Sequence, residues 1–168
     1  LRRAWPHVPG KYYVVDSAAP VAVTTLGSVV LAQQLAASAP KGLCIVGKVE
    51  TENIGIEKML CNLVANPNIR YLIVCGPESP GHLVGDAILA LASNGVDQTK
   101  RIVGAKSPTP YLFNIPQTFI ERFRKQVTVI DLIDHAQVSA RVSSNPWISN
   151  SSNITDGSPA LHGAVVKV

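Results

Sequence analysis

The sequence predicts an α/β domain: an open, mostly parallel sheet with helices on both faces. Three observations carry that expectation. Short apolar runs lead up to Gly27, Gly47 and Gly76, stripes of apolar residues at helical spacing lie between them, and the two kinds of segment alternate at short intervals. With 168 residues, 46% hydrophobic and only 15% charged, the chain can bury one real core, which excludes disorder throughout.

Each element follows from its local pattern. Residues 21–27 read as a strand ending on glycine, and 42–47 as a second. Between them, 29–38 is alanine-rich and helix-permissive, and Pro40 closes it. From Asn53 the period changes: Ile56, Met59, Leu60, Leu63 and Val64 mark one face of an amphipathic helix, which Asn66-Pro67-Asn68 stops. Residues 69–75 form a nearly unbroken apolar run, the pattern of a strand covered on both faces. A glycine-punctuated turn follows, then Val84, Ala87, Ile88, Leu91 and Ala92 repeat the helical stripe, with Gly95 placed to end it. Two further strands are expected over 101–105 and 127–132, separated by a helix that Pro116 opens and that carries Phe119, Ile120 and Phe123. After Arg141 the composition shifts to serine, asparagine, glycine and proline. Residues 1–140 are therefore expected to form the domain and 141–168 a polar tail, with 164–168 adding a short edge strand.

Composition also narrows the function. No uninterrupted apolar run reaches the roughly 18–20 residues of a membrane helix, and no leader pattern is visible, so a soluble, cytoplasmic chain is expected. The formal charge is +4, but the basic residues are scattered and aromatics make up only 5%, so nucleic-acid binding is not expected. Cys44, Cys61 and Cys75 show neither CxxC nor zinc spacing and read as free, buried thiols.

In an open parallel sheet, ligands sit outside the carboxyl ends of the strands. The most distinctive loop there runs from Gly76 through Gly81 and His82 to Gly85. Its spacing imitates a phosphate loop, but His82 and Leu83 stand where lysine and serine or threonine are needed, which argues against a nucleotide triphosphatase. There is no Gly-x-Ser-x-Gly elbow, no HExxH and no Gly-x-Gly-x-x-Gly. His82 reads instead as an imidazole presented at a helix start, available to a metal in its neutral form, with Glu78, Asp86 or Glu52 available to hold its other nitrogen. His7, His135 and His162 form no cluster with it. His82-Leu-Val-Gly85 reproduces the second half of the Asp-x-His-x-x-Gly turn by which many corrinoid-binding α/β domains present an axial ligand, with Pro80 in the carboxylate position.

A longer set of residues goes further. Trp5-Pro6, Val8-Pro9-Gly10, Thr25-Leu-Gly-Ser28, Thr51-Glu-Asn-Ile-Gly-Ile-Glu-Lys58, Asn66-Pro-Asn-Ile-Arg70, Cys75-Gly76, Gly81-His82, Gly104-Ala105, Pro110-Tyr111, Asn114-Ile-Pro116 and Ile130-Asp-Leu-Ile133 resemble the corrinoid-binding A subunit of tetrahydromethanopterin S-methyltransferase. The resemblance runs in register over residues 5–133. It implies a Rossmann-like domain holding cobalamin or a related cobamide, with His82 as lower axial ligand to cobalt. It further implies a methyl group taken from methyl-tetrahydromethanopterin and passed to coenzyme M, with partner methyltransferase subunits and no complete catalytic site in this chain. Glu52 is then a candidate contact to His82 or to the corrin, against a simple helix-capping role. The corrin would lie among loops bearing Gly27, Ser28, Thr51, Glu52, Asn53, Gly55, Gly76, Gly81, Gly85, Gly104, Ala105, Pro110 and Tyr111. Departures exist: Lys11, Val29, Asp86 and Phe113 differ from the residues usual in the family, and a polar tail stands where membrane-attached members have a transmembrane helix. A corrinoid-free interaction or regulatory domain, or a general nucleotide-binding α/β protein, are the alternative readings.

Overall fold

A computed structural model describes residues 4–134 and 165–167. Ten elements follow in chain order: β1 (Tyr12–Val14), β2 (Val21–Thr24), α1 (Val29–Ser38), β3 (Leu43–Gly47), α2 (Ile54–Val64), β4 (Tyr71–Gly76), α3 (Val84–Asn94), α4 (Gln117–Gln126), β5 (Thr128–Ile133) and β6 (Val165–Lys167). The strands form one six-stranded sheet in the order β1-β3-β2-β4-β5-β6. All pairings are parallel except the antiparallel edge pair of β1 with β3. The open α/β expectation holds.

Burial explains the layering. Every residue of β2 and β4 is buried, because helices cover both faces of the sheet. On one face Ile56, Leu60 and Leu63 of α2, Ile88 and Leu91 of α3, and Phe123 of α4 pack on Ala22, Ile45, Leu72 and Val129. On the other face Ala32 and Leu35 of α1 pack on Val21, Val23, Val46 and Ile73. The helix leaving β2 therefore turns to one face of the sheet, and the helix leaving β4 to the other. That divergence opens a crevice at the carboxyl ends of two neighbouring strands.

Two expectations change. Residues 101–105 do not add a strand to the sheet. They form isolated antiparallel bridges, Arg101 with Tyr111 and Ile102 with Val96, inside the long α3–α4 connection. The Arg101 guanidinium donates to the carbonyls of Ile102 and Ala105, and Gly104 turns the chain at φ +82°, so the segment curls on itself. β1 was not legible at all. At the other end the short edge strand expected near the C-terminus is present as β6, paired with β5. The boundary placed at residue 140 lies outside the described residues.

Candidate functional site

Four loops meet at the carboxyl ends of β2, β3 and β4. The loop after β2 carries Gly27 and Ser28. Ser28 caps α1, its Oγ accepting from the Leu31 N–H at 3.2 Å, while the Thr25 hydroxyl donates to the Ser28 carbonyl at 2.8 Å. This loop abuts the one after β4 so closely that a Cβ on Gly76 would lie 2.5 Å from the Thr25 carbonyl oxygen. Only glycine, here at φ +86°, allows that approach.

The loop after β3 holds Thr51, Glu52 and Asn53, and the capping work falls to Glu52's two neighbours. Asn53 Oδ1 accepts from the Ile54 N–H at 2.7 Å, and Thr51 Oγ1 from the Gly55 N–H at 2.7 Å. The Glu52 carboxylate, 1% exposed, is left to point into the site. Its Oε2 lies 3.0 Å from Nδ1 of His82. Its Oε1 accepts the Thr109 N–H at 3.2 Å and the Thr109 hydroxyl at 3.0 Å. Burial pushes the Glu52 carboxyl up, but hydrogen bonds from its own backbone N–H, His82 and Thr109 outweigh that and hold it below the ordinary value of 4.5. It is a buried carboxylate kept ionised by its donors.

His82 sits in the third loop with more than half of its side chain, 55%, open to solvent. With Nδ1 turned to Glu52, a hydrogen bond donated by Nδ1–H to the carboxylate leaves Nε2 with a free lone pair. The loop beneath is braced by Glu78, whose carboxylate accepts from the N–H groups of Gly85 and Asp86 at 2.9 and 2.8 Å and so caps α3. The fourth loop, 104–111, is tied down at three points. Lys106 N–H donates to Asp86 at 2.8 Å, the Ser107 hydroxyl to the Leu83 carbonyl at 2.9 Å, and Thr109 to Glu52. Asn53 adds a link from Nδ2 to the Thr109 carbonyl at 3.3 Å.

The residues expected at the site divide into two groups. Gly27, Gly81 and His82 are exposed, and a Cβ on Gly27 or Gly81 would meet nothing within 4 Å. Ser28, Thr51, Asn53, Gly55 and Tyr111 are half-buried around them. Gly76, Gly85, Ala105 and Pro110 are buried, so their part is to let the loops pack rather than to line an open surface. Gly104 is exposed but crowded, since a Cβ there would come within 2.9 Å of Asn94 Nδ2. Ser107 and Thr109 were missed, because a short polar side chain in a loop carries no sequence period; Glu78, considered as a partner for His82, caps α3 instead.

Among the described residues, no group of three His, Cys, Asp or Glu side chains is placed to hold a metal ion. Nor is any helix among them long and apolar enough to cross a membrane. All three cysteines are free; burial pushes the Cys75 thiol up to about 12, and burial with Asp16 nearby does the same to Cys44.

A family model described as the A subunit of tetrahydromethanopterin S-methyltransferase matches residues 1–159. The second of two such A subunits in Methanothermobacter thermautotrophicus is 50% identical over 131 residues, which cover 77% of this chain and 69% of that protein. The first A subunit of the same organism is 51% identical over 131 residues, covering 77% of this chain and 53% of the relative. The A subunit of the Methanopyrus kandleri enzyme is 48% identical over 124 residues, covering 73% and 50%. The chain thus spans about half the length of the last two relatives.

Proposed function

Because the chain belongs to the A-subunit family of tetrahydromethanopterin S-methyltransferase, we propose that it carries a cobamide, with His82 as the axial ligand to cobalt, and serves partner methyltransferase subunits. One observation carries this reading: a solvent-open imidazole whose Nδ1 is bound to a buried, ionised carboxylate. A lone imidazole is a poor site for a bare zinc or iron ion, which takes several protein ligands. It suits a metal whose equatorial positions are already filled by a macrocycle. The surroundings suit a broad ring as well. Val30 at the start of α1, Ile54 at the start of α2 and Phe113 in the α3–α4 connection are 62, 54 and 66% exposed, leaving apolar surface for a ligand to cover.

When bound, the corrin's cobalt supplies the centre that takes up a methyl group and gives it away again. The chain's own residues hold and tune. His82 Nε2 would hold the cobalt through its lone pair, and Glu52, by accepting a hydrogen bond from Nδ1–H, fixes the tautomer and raises the basicity of the ring. Thr109 and Asn53 hold Glu52 in place. Neither Cys44 nor Cys75 can serve as the thiol acceptor, because both are buried and protonated at neutral pH. The methyl donor, methyl-tetrahydromethanopterin or a similar compound, and an acceptor thiol such as coenzyme M are then brought by the partner subunits.

The test is reconstitution with hydroxocobalamin, followed by reduction to the cob(II) state in protein labelled with nitrogen-15 histidine. Electron paramagnetic resonance should show coupling to one histidine nitrogen, and His82→Ala should lose it while keeping the fold by circular dichroism. A corrinoid that fails to bind, or a signal unchanged in His82→Ala, overturns the reading.

A further inference from the structure

At the edge of the sheet opposite His82, α4 presents a polar stripe beside the connection that enters β4. Thr118, Glu121, Arg122 and Lys125 share one face of the helix at spacings of three and four, and all four are exposed, while Ile120 and Phe123 on its other side are buried. That stripe, with Pro67 and Arg70, walls a hollow of about 440 Å³, within the size range of small-ligand pockets. The 6 residues of β4, at about 3.3 Å each, put it ~20 Å from the loop that carries His82.

The two walls are fixed to each other. The Gln126 side-chain amide donates to the carbonyls of Leu63, Asn66 and Ile69 at 3.1, 2.9 and 3.0 Å, and the Thr128 N–H donates to the Arg70 carbonyl at 2.9 Å. The charges between the walls are unspent. Arg70, Arg122 and Lys125 stand against one carboxylate, Glu121, and among the described residues none of these four joins an ion pair. Arg70 Nε is buried, yet it has no hydrogen-bond partner among the described residues. Folded proteins seldom leave a buried donor unmet. Other cations of this chain show the contrast: Arg124 donates to the Ala92 and Ser93 carbonyls, and Lys48 pairs with Glu50.

We propose that this hollow binds a phosphoryl dianion, as free phosphate or as the phosphate of a small ester. Three cations against one anion leave an excess of positive charge that a dianion neutralises and a single carboxylate does not. Arg70 and Arg122 offer planar forks to the phosphoryl oxygens, Lys125 a point charge and Thr118 a neutral hydroxyl donor. A small turn of the Arg70 guanidinium towards the oxyanion gives Nε the acceptor it lacks. The site goes beyond the methyl-transfer reading and does not depend on it.

The test titrates the nitrogen-15-labelled chain with inorganic phosphate, with glycerol phosphate, and with sodium chloride at matched ionic strength, followed by two-dimensional nuclear magnetic resonance. Phosphate should move the Arg70 Nε–H signal and the amides of 67–70 and 118–126 to saturation, while the His82 signals stay in place. An ester that binds no tighter than phosphate identifies the free ion as the ligand; a tighter one identifies an ester whose organic part the hollow also holds. Arg122→Gln combined with Lys125→Gln, two exposed changes that leave the core alone, should weaken both ligands about tenfold or more. The same shifts with chloride, phosphate shifts centred elsewhere, or a double variant that titrates like the wild type each overturn the proposal. A double variant that loses stability but not phosphate affinity does so too, because its cations then only complement the C-terminus of α4. None of these failures touches the cobamide reading, which is tested at the His82 nitrogen.

Discussion

Oε2 of Glu52 lies 3.0 Å from Nδ1 of His82, across 30 residues of chain and between two loops that share no backbone hydrogen-bond ladder. The other oxygen of the same carboxylate holds Thr109, so one buried anion ties the loops after β3 and β4 to the connection before α4. Orientation of the imidazole therefore rests on a side chain that also helps to hold the 104–111 loop over the site.

Replacing Glu52 by glutamine keeps the shape and removes the charge. The amide has one acceptor oxygen for two sets of donors, so either Thr109 loses its acceptor or His82 must change tautomer to accept from the amide N–H. Stability should fall by about 1–3 kcal/mol, the cost of leaving a buried polar group unpaired, as read from urea unfolding. Nitrogen-15 spectra of the histidines should also show His82 shifting away from a single Nδ1-protonated tautomer. A Glu52→Gln protein with wild-type stability and an unchanged His82 tautomer would show that the carboxylate does not orient the ring.

The pH dependence follows from the direction of the Glu52 shift. Its carboxyl is held below 4.5 in the fold, so its contribution to stability is complete above that value and is lost as pH falls through the lowered one. The stability gap between wild type and Glu52→Gln should be constant from neutral pH down to about 5 and should shrink in more acid solution. Urea midpoints of both proteins across that range measure it.

Two glycines that look alike in the sequence should behave in opposite ways. A Cβ on Gly85 would lie 2.7 Å from Ile133 Cδ1 and 2.8 Å from Glu78 Oε2, pressing on both the sheet and the α3 cap. Gly85→Ala should cost about 1–3 kcal/mol by overpacking. Gly27 faces open space, and Gly27→Ala should stay within about 0.5 kcal/mol of wild type. In the corrinoid reading, bulk at Gly27 acts on ligand affinity rather than on folding. Paired urea unfolding and hydroxocobalamin titration of the two variants separate these effects.

The contrast marks where sequence reasoning stops. Strands and helices were legible because burial imposes a period: the stripe through Ile56, Leu60 and Leu63 and the unbroken run through β4 each map to one kind of surface. His82 was legible because histidine is rare and stood in a glycine turn after a buried strand. Glu52 was one of three carboxylates considered, and nothing local separated it from Glu78 or Asp86. The choice is made by loops that meet only after the sheet forms. Glu78 is used up capping α3, and Asp86 by the Lys106 N–H. The strand expected at 101–105 failed for a related reason: its apolar residues, such as Ile102, are buried inside the connection rather than in the sheet.

That connection is the part of the site most open to a simple test. Residues 104–111 have no regular ladder of their own and are held by side chains: Asp86 on Lys106, Ser107 on Leu83, and Glu52 and Asn53 on Thr109. Thr109→Val removes the hydroxyl that donates to Glu52 Oε1 at 3.0 Å and accepts from Asn53 at 3.3 Å, but keeps the backbone bonds to both residues. The loss should be near one net hydrogen bond, about 1 kcal/mol, and local rather than global. Amide hydrogen exchange should therefore quicken over 104–111 and at the start of α2, while the β4 and β5 amides keep wild-type protection. With Glu52 less constrained, the His82 ring should also lose order, visible as broadened histidine nitrogen signals. Uniformly faster exchange through the sheet would instead mean that Thr109 supports the whole fold, and unchanged exchange would mean that the backbone bonds alone hold the loop.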